Sequence, residues 1–489
     1  MARIVMSVRS RQTAVGLFLL GLLVVLVCGR WPRPVLVEAA AQRSDRLPIP
    51  QAVLAFRGSV SCAAAACHNA NTPGGPVGRE YAIWAARDPH HSAYSVLYDR
   101  RSAGIEKNLR RDSERKAWQD TRCLDCHVSP GIDVSHRAAS SRQRADEIEK
   151  IFFLNDGVGC ESCHGPSGRW RTEHYTEAWR ALPESRKQEL GMQPTRDLVA
   201  RARLCAGCHV GAPGREVDHD LLAAGHPRLS FEYGAFLGIM PKHWDEAAEK
   251  RRLPDLEARV WGIGQAVSAD AALKLVEDHA NDHGPWPDLA NYDCFACHHD
   301  LQGSSWRQGL PRSAPAGSPR WGDWYLSMIG KTLPARDDAK LAAVASELQK
   351  IMSRSDPDRA RAVNSVRELR GRLGRWLQDH AGRDYDDSSI HARLKDLARQ
   401  GAQRSDLHWD EAAQLYLALA ALYQAEGDVD PVRRAAQLRD DLARMVTQLR
   451  FPSAALATSR YDSPMERSRG DQRVQFQQAL IDFGRRLDR

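Results

Sequence analysis

Ten of the eleven cysteines in this chain fall in five close pairs, and a histidine follows the second cysteine of every pair. Four pairs enclose two residues: Cys123-Leu-Asp-Cys126-His127, Cys160-Glu-Ser-Cys163-His164, Cys205-Ala-Gly-Cys208-His209 and Cys294-Phe-Ala-Cys297-His298. The fifth is wider, Cys62-Ala-Ala-Ala-Ala-Cys67-His68. C-x-x-C-H is the attachment signature for c-type haem, and the spacing has a physical reason. Two thiols add across the two vinyl groups of one porphyrin edge, and the histidine must then lie under the ring with a nitrogen in reach of the iron. A short turn entering a helix puts all three groups on one side. A zinc site takes four ligands from two pairs and has no use for a histidine beside each pair. A redox dithiol does not recur five times in one chain. The wide pair admits two readings: a fifth haem on a bulged loop, or a disulfide or free thiols.

The motifs run from Cys62 to His298, roughly fifty residues per haem if all five are filled. That is too little protein to give each ring its own apolar core, so the rings themselves must form much of the interior, close to one another. The rest of the composition is that of a globular chain. Of 489 residues, 43% are apolar and 27% charged, and mean hydropathy is −0.50, which excludes a polytopic membrane protein. A net charge of +7 is modest for this length and gives no sign of a nucleic-acid partner.

The sixth axial position separates a carrier from a catalyst. A second histidine saturates the iron and suits it to electron transfer, whereas an open position can bind a small substrate. Ten histidines outside the attachment motifs lie among them: His90, His91, His136, His174, His219, His226, His243, His279, His283 and His299. His90, His174 and His226 are the leading distal candidates, followed by His219, His243 and His299. His174 comes soon after His164 and His299 adjoins His298, so each must serve a neighbouring haem rather than its own motif's. The stretch around His90 and His91, WAARDPHHSAYSVL, reads as an amphipathic helix. His380, His391 and His408 lie beyond the last motif.

At these residues the chain resembles the tetrahaem cytochrome c-554 family, within a wider group that includes hydroxylamine oxidoreductase and multihaem nitrite reductases. The sharpest match is GVGCESCHGP, Gly157 to Pro166, with His174 following at the family's offset. The first haem motif, Trp84 with the His90 segment, Cys123 to Val128, and Arg203 to His209 follow the family's order, so the likeness spans about residues 55–230. The resemblance implies a mostly helical haem core, rings stacked in close pairs, mainly bis-histidine ligation, and electron exchange with small soluble partners, often in nitrogen-compound oxidation. It makes His174 and the His90/His91 pair distal-ligand positions. One haem of the family is five-coordinate. The corresponding motif here is Cys123 to His127, so His127 would hold an iron with an open opposite face. The chain departs from the family in its widened first motif, its added motif Cys294 to His298, and a long haem-free tail.

That tail follows a Pro/Gly/Ser-rich connection, Arg307 to Trp324. Helices are expected after Asp356-Pro357, after Ser388-Ser389 with closure at Gly401, over Trp409–Ala425, and from Asp430-Pro431, with a last one through Phe476 and Leu480. Arg370, Arg372 and Arg375 read as a solvated helix face. Upstream, Asp255 to Asp278 is expected to be helical, with Val260, Ile263, Val267 and Leu273 buried. At the other end, Arg3, Arg9 and Arg11 precede sixteen uncharged residues, Thr13 to Cys28, the pattern of a secretory signal. Ala39 to Ala41 offers a cleavage site. If it is not cut, residues 13–28 would serve as an anchor, although about 24 Å of helix falls short of a ~30 Å hydrocarbon core.

The expectation is therefore a mainly α protein. Its parts are a signal or anchor (1–41), a multihaem cytochrome c domain of haem-stacked helices and loops (42–306), a linker (307–324) and a haem-free α-helical bundle (325–489). It would be a periplasmic pentahaem c-type cytochrome passing electrons between redox partner proteins. The competing reading is an oxidoreductase acting on nitrite, hydroxylamine or nitric oxide at one open haem, without an evident catalytic acid or base.

Overall fold

The computed structural model describes residues 54–70, 75–109, 116–130, 152–282, 285–298, 306, 318–332, 338–426, 431–451 and 470–488. Residues 13–28, the cleavage site, His136, His283 and His299 lie outside the described residues. The fold is mainly helical, as the sequence implies. The strands among the described residues are β1 (Ser129–Pro130) and β2 (Phe152–Phe153), which pair antiparallel. No described helix is long and apolar enough to cross a membrane.

In the haem-motif region the helices are short: α1 (Glu80–Arg87), α2 (Arg100–Leu109), α3 (Thr121–His127), α4 (Cys160–His164), α5 (Glu177–Arg180), α6 (Glu184–Glu189), α7 (Leu198–His209), α8 (His219–Ala224), α9 (Tyr233–Ile239) and α10 (Glu246–Arg252). Aspartates start several of them. Asp120, Asp197, Asp218 and Asp245 each accept a hydrogen bond from a first-turn amide of α3, α7, α8 and α10. The segment around His90 is not the amphipathic helix expected. Helix α1 stops at Arg87, and residues 89–94 run as turns before a short 3-10 stretch, Ser95–Tyr98. Asp88 precedes Pro89, whose ring disfavours the helical region for the residue before it, and Asp88 is extended at φ −84° and ψ 121°.

Helix α11 (Leu256–Asn281) organises the interior. Over 256–269 it is buried on every side, with Trp261, Ala258 and Ala269 fully enclosed and Val260, Ile263, Val267 and Leu273 in the core. A Cβ on Gly264 would stand 2.6 Å from the Tyr233 side chain, so the missing side chain is what lets α9 lie against α11. Helix α12 (Cys294–Cys297) carries the last motif. Beyond it come α13 (Asp338–Met352), α14 (Arg359–His380), α15 (Asp387–Ala402), α16 (Trp409–Ala425), α17 (Pro431–Leu449) and α18 (Gly470–Leu487).

One apolar core joins α7 and α11 to α13 and α14; a second is built from α15, α16, α17 and α18, with Ala258 and Trp261 of α11 entering it. Helix α11 thus belongs to both. Helix α14 starts two residues later than Asp356-Pro357 suggested, because Asp358 provides the cap by accepting from the Arg361 amide. Gly401 does not close α15; it lies in the last turn, where a Cβ would meet Leu415 and Leu480. Arg370 is no solvated face residue: it is half-buried and bridges α14 to α11 through Asp270 at 2.8 Å and Glu277 at 2.6 Å.

Candidate haem-binding sites

Each attachment motif sits where a chain turns into or out of a helix. In α3, α4 and α7 the histidine is the last helical residue and the cysteines stand three residues apart just before it, so all three side chains share one face. In α12 the pair spans the whole helix, and the His298 amide closes the turn on the Cys294 carbonyl at 2.8 Å. The wide motif is built differently. Cys62 ends a 3-10 turn, Ser59–Cys62, and the alanines form a second turn in which the Cys67 amide returns to the Ala64 carbonyl at 2.9 Å. The extra residues are thus absorbed before Cys67 and His68. The ten described cysteines are free of disulfides.

Three pairs of imidazoles, each one motif histidine and one other, stand close together, the first nearly parallel and the other two nearly perpendicular. His68 and His174 have ring centroids 5.9 Å apart, His209 and His90 5.9 Å, and His164 and His243 6.4 Å. Aromatic rings in ordinary contact have centroids about 4.5–7 Å apart, and the same separations suit two ligands of one ion. A metal–imidazole nitrogen bond is about 2.0–2.1 Å, so with the ring radius on each side two imidazoles on opposite faces of one ion have centroids about 6 Å apart.

The ring nitrogens agree. His68 Nδ1 meets Glu80 Oε2 at 3.2 Å, and His90 Nδ1 meets Asp88 Oδ1 at 2.8 Å. His127 Nδ1 donates to the Ala93 carbonyl at 2.8 Å, and His174 Nδ1 donates to the Arg171 carbonyl at 2.7 Å. A carbonyl oxygen can only accept, so the proton sits on Nδ1 and Nε2 keeps its lone pair. An outer acceptor that fixes tautomer and ring direction is the usual support of a metal-bound histidine. Burial holds His164 and His209 down to about 4 and lowers His127 and His243 as well, so these rings are neutral at pH 7. His90 moves the other way, raised chiefly by its bond to Asp88. The residues present therefore fit c-type haem: two thiols and a histidine per motif, and in three cases a second imidazole opposite.

The motifs are packed against one another. The Cys62 and Cys160 thiols lie close enough to shift each other's ionisation, as do those of Cys126 and Cys208. Cys163 lies within electrostatic reach of Cys205 and Cys208. The first motif thus abuts the third, the third abuts the fourth, and the fourth abuts the second, although the chain visits them in another order.

Some supporting residues have no signature of their own. Glu161, inside the third motif, is buried and accepts from the amides of Arg57 (2.8 Å), Gly58 (2.7 Å) and Ser167 (2.7 Å), which ties the first motif's approach to the third. Asp156 accepts from the Ser59 amide at 2.6 Å. Glu249 takes the Trp244 indole N–H at 2.8 Å and Arg201 at 2.6 Å, which fixes the residue next to His243. Only the CESCHGP string hinted at Glu161; the others depend on contacts between distant segments.

The remaining candidates are placed elsewhere. His91 packs edge-on against Trp84 at 4.5 Å, so within the His90/His91 pair it is His90 that faces a motif histidine. His279 spends Nε2 on Glu216 at 2.9 Å. His219 opens α8, with its amide toward Asp288 at 3.3 Å. His226 follows α8 with Nδ1 on the Pro227 carbonyl at 2.8 Å. His298 is exposed at the end of the last motif.

Clustered C-x-x-C-H motifs, three of them with a second imidazole near the motif histidine, fit a multihaem c-type cytochrome. Residues 61–165 match the family described as cytochrome c554 and c-prime. Among curated proteins the chain is similar to cytochrome c-554 of Nitrosomonas europaea, at 27% identity over 124 residues, 22% of this chain and 47% of that protein. The chain thus spans about half the length of the curated relative it matches. No solved structure matches.

Proposed function

We propose that the protein is an exported pentahaem c-type cytochrome that relays electrons between redox partner proteins through a connected set of largely bis-histidine haems. The observation that carries this reading is the set of three imidazole pairs, His68/His174, His164/His243 and His209/His90, spaced for opposite faces of one ion. Bound c-type haem supplies reversible one-electron cycling between ferric and ferrous iron. The chain does the rest. The cysteine pairs would hold the haem, the motif histidines would offer it one neutral nitrogen, and the histidines near them would offer a second. Glu80, Asp88 and the Arg171 and Ala93 carbonyls hold imidazole protons on Nδ1 and keep the rings aimed. Contacts between cysteines of different motifs support through-protein relay, because they bring ring edges together. The positive amino-terminal stretch and the uncharged run 13–28 support export, and a periplasmic location follows from that pattern.

The test is to express the full chain with a cytochrome c maturation system and count haems by pyridine haemochrome and intact mass. Five per chain, a reducible Soret band and low-spin signals from at least three haems are expected. A colourless product would overturn the reading.

A further inference from the structure

We propose that His226 is the sixth ligand to the iron held by His127, so that the haem left open in the resembled family is closed in this chain. The proposal rests on the multihaem reading above and adds to it the state of one particular site.

The position of His226 is built, not incidental. Gly225 ends α8 in the left-handed region at φ +117°, and the amides of Gly225 and His226 return to the Leu222 and Leu221 carbonyls at 3.0 and 2.9 Å. That cap fixes where the His226 side chain leaves the backbone. Its Nδ1 donates to the Pro227 carbonyl at 2.8 Å, which leaves the Nε2 lone pair free. His174 and His127 are held in the same way by the Arg171 and Ala93 carbonyls.

The scaffold around the two rings is shared. Helix α8 packs on α2 through Leu221, Ala224 and Ile105, and Asn108 Nδ2 donates to the Ala224 carbonyl at 3.0 Å. Helix α2 continues the segment whose Ala93 carbonyl holds His127. One stretch, residues 93–109, therefore supports His127 at one end and the His226 cap at the other. His127 lies within electrostatic reach of two imidazoles, His209 and His226. His209 already faces His90. His279 has its Nε2 on Glu216. Of His209 and His226, His226 is the one that no other described imidazole faces.

The consequence is chemical. An iron held between His127 and His226 offers no position for nitrite, hydroxylamine or nitric oxide, and the second haem becomes another relay.

The experiment uses the full, haem-loaded chain. Ferric spin state is read by EPR, and carbon monoxide binding is titrated on the dithionite-reduced protein, for the unsubstituted protein, His226→Gly, His226→Met and the control His279→Ala. His226→Gly should gain one high-spin haem and one carbon monoxide equivalent per chain over the unsubstituted protein, and added imidazole should reverse both. His226→Met should stay low-spin with an altered spectrum, and it carries the test if the glycine variant fails to accumulate. His279→Ala should leave the counts unchanged. An unchanged high-spin count in His226→Gly, or an unaltered spectrum in His226→Met, would overturn the proposal. A chain without haem would instead fail the broader reading.

Discussion

His68 and His174 face each other with ring centroids 5.9 Å apart and planes 13° from parallel, although more than a hundred residues separate them in the chain. His68 belongs to the widened motif. The pair suits two ligands of one ion, which makes His174 the residue that tests a haem at Cys62 and Cys67. His174→Ala should convert one low-spin haem to high-spin and add one carbon monoxide equivalent, read by EPR and optical titration, with the haem count unchanged.

Cys62→Ser or Cys67→Ser tests the attachment itself. Each variant leaves at most one thioether at that site. The double variant should lower the pyridine haemochrome count by one haem per chain and the intact mass by one haem. The same count in both proteins would return the pair to free thiols.

Asp88 is buried and holds His90 Nδ1 at 2.8 Å. A carboxylate on the far nitrogen raises the basicity of the ligating one and favours ferric iron. Asp88→Asn should therefore raise the midpoint potential of the haem at His209 and leave the others near their values, as followed by spectroelectrochemical titration.

Glu249 gives a pH-dependent prediction. Burial alone would raise its carboxyl, but the hydrogen bond and charge of Arg201 outweigh burial and hold it below its ordinary 4.5. Because the folded value lies below the unfolded one, this contribution to stability is fully present above the unfolded value and is lost as pH falls through the folded value. Glu249→Gln should cost about 1–3 kcal/mol at pH 7. The difference from the unsubstituted protein should shrink as pH drops below 4.5 in chemical denaturation followed by circular dichroism. Trp244 should loosen in the variant, seen as a change in the spectrum of the haem at His164.

Trp261 is fully enclosed on α11, the helix common to both apolar cores. Trp261→Ala should cost about 3–5 kcal/mol. Soret and far-ultraviolet signals should still melt together, because α11 is part of both cores. Separate transitions would show that the haem-motif region and the carboxy-terminal helices are independent.

How far the sequence could be read depended on the range of the interaction. Helices over 409–425 and from Pro431 stand where their apolar spacing and proline placed them, since both signals are local. Asp88-Pro89 was equally local, but it lies within an apolar pattern that resembled a helix, and the proline prevailed. Arg370 looked like a solvated residue because Asp270 and Glu277 reach it from another helix.

The attachment motifs and the choice of cofactor were written in the chain alone, because two thiols and an imidazole must meet one porphyrin edge within a turn of backbone. The pairing of those motifs with the candidate second imidazoles was not. That the His243 ring stands near His164 and the His90 ring near His209 emerged only in the tertiary structure. A sixth ligand needs only a nitrogen on the far side of the ring, and any segment that packs there can deliver it, so no sequence spacing encodes the choice.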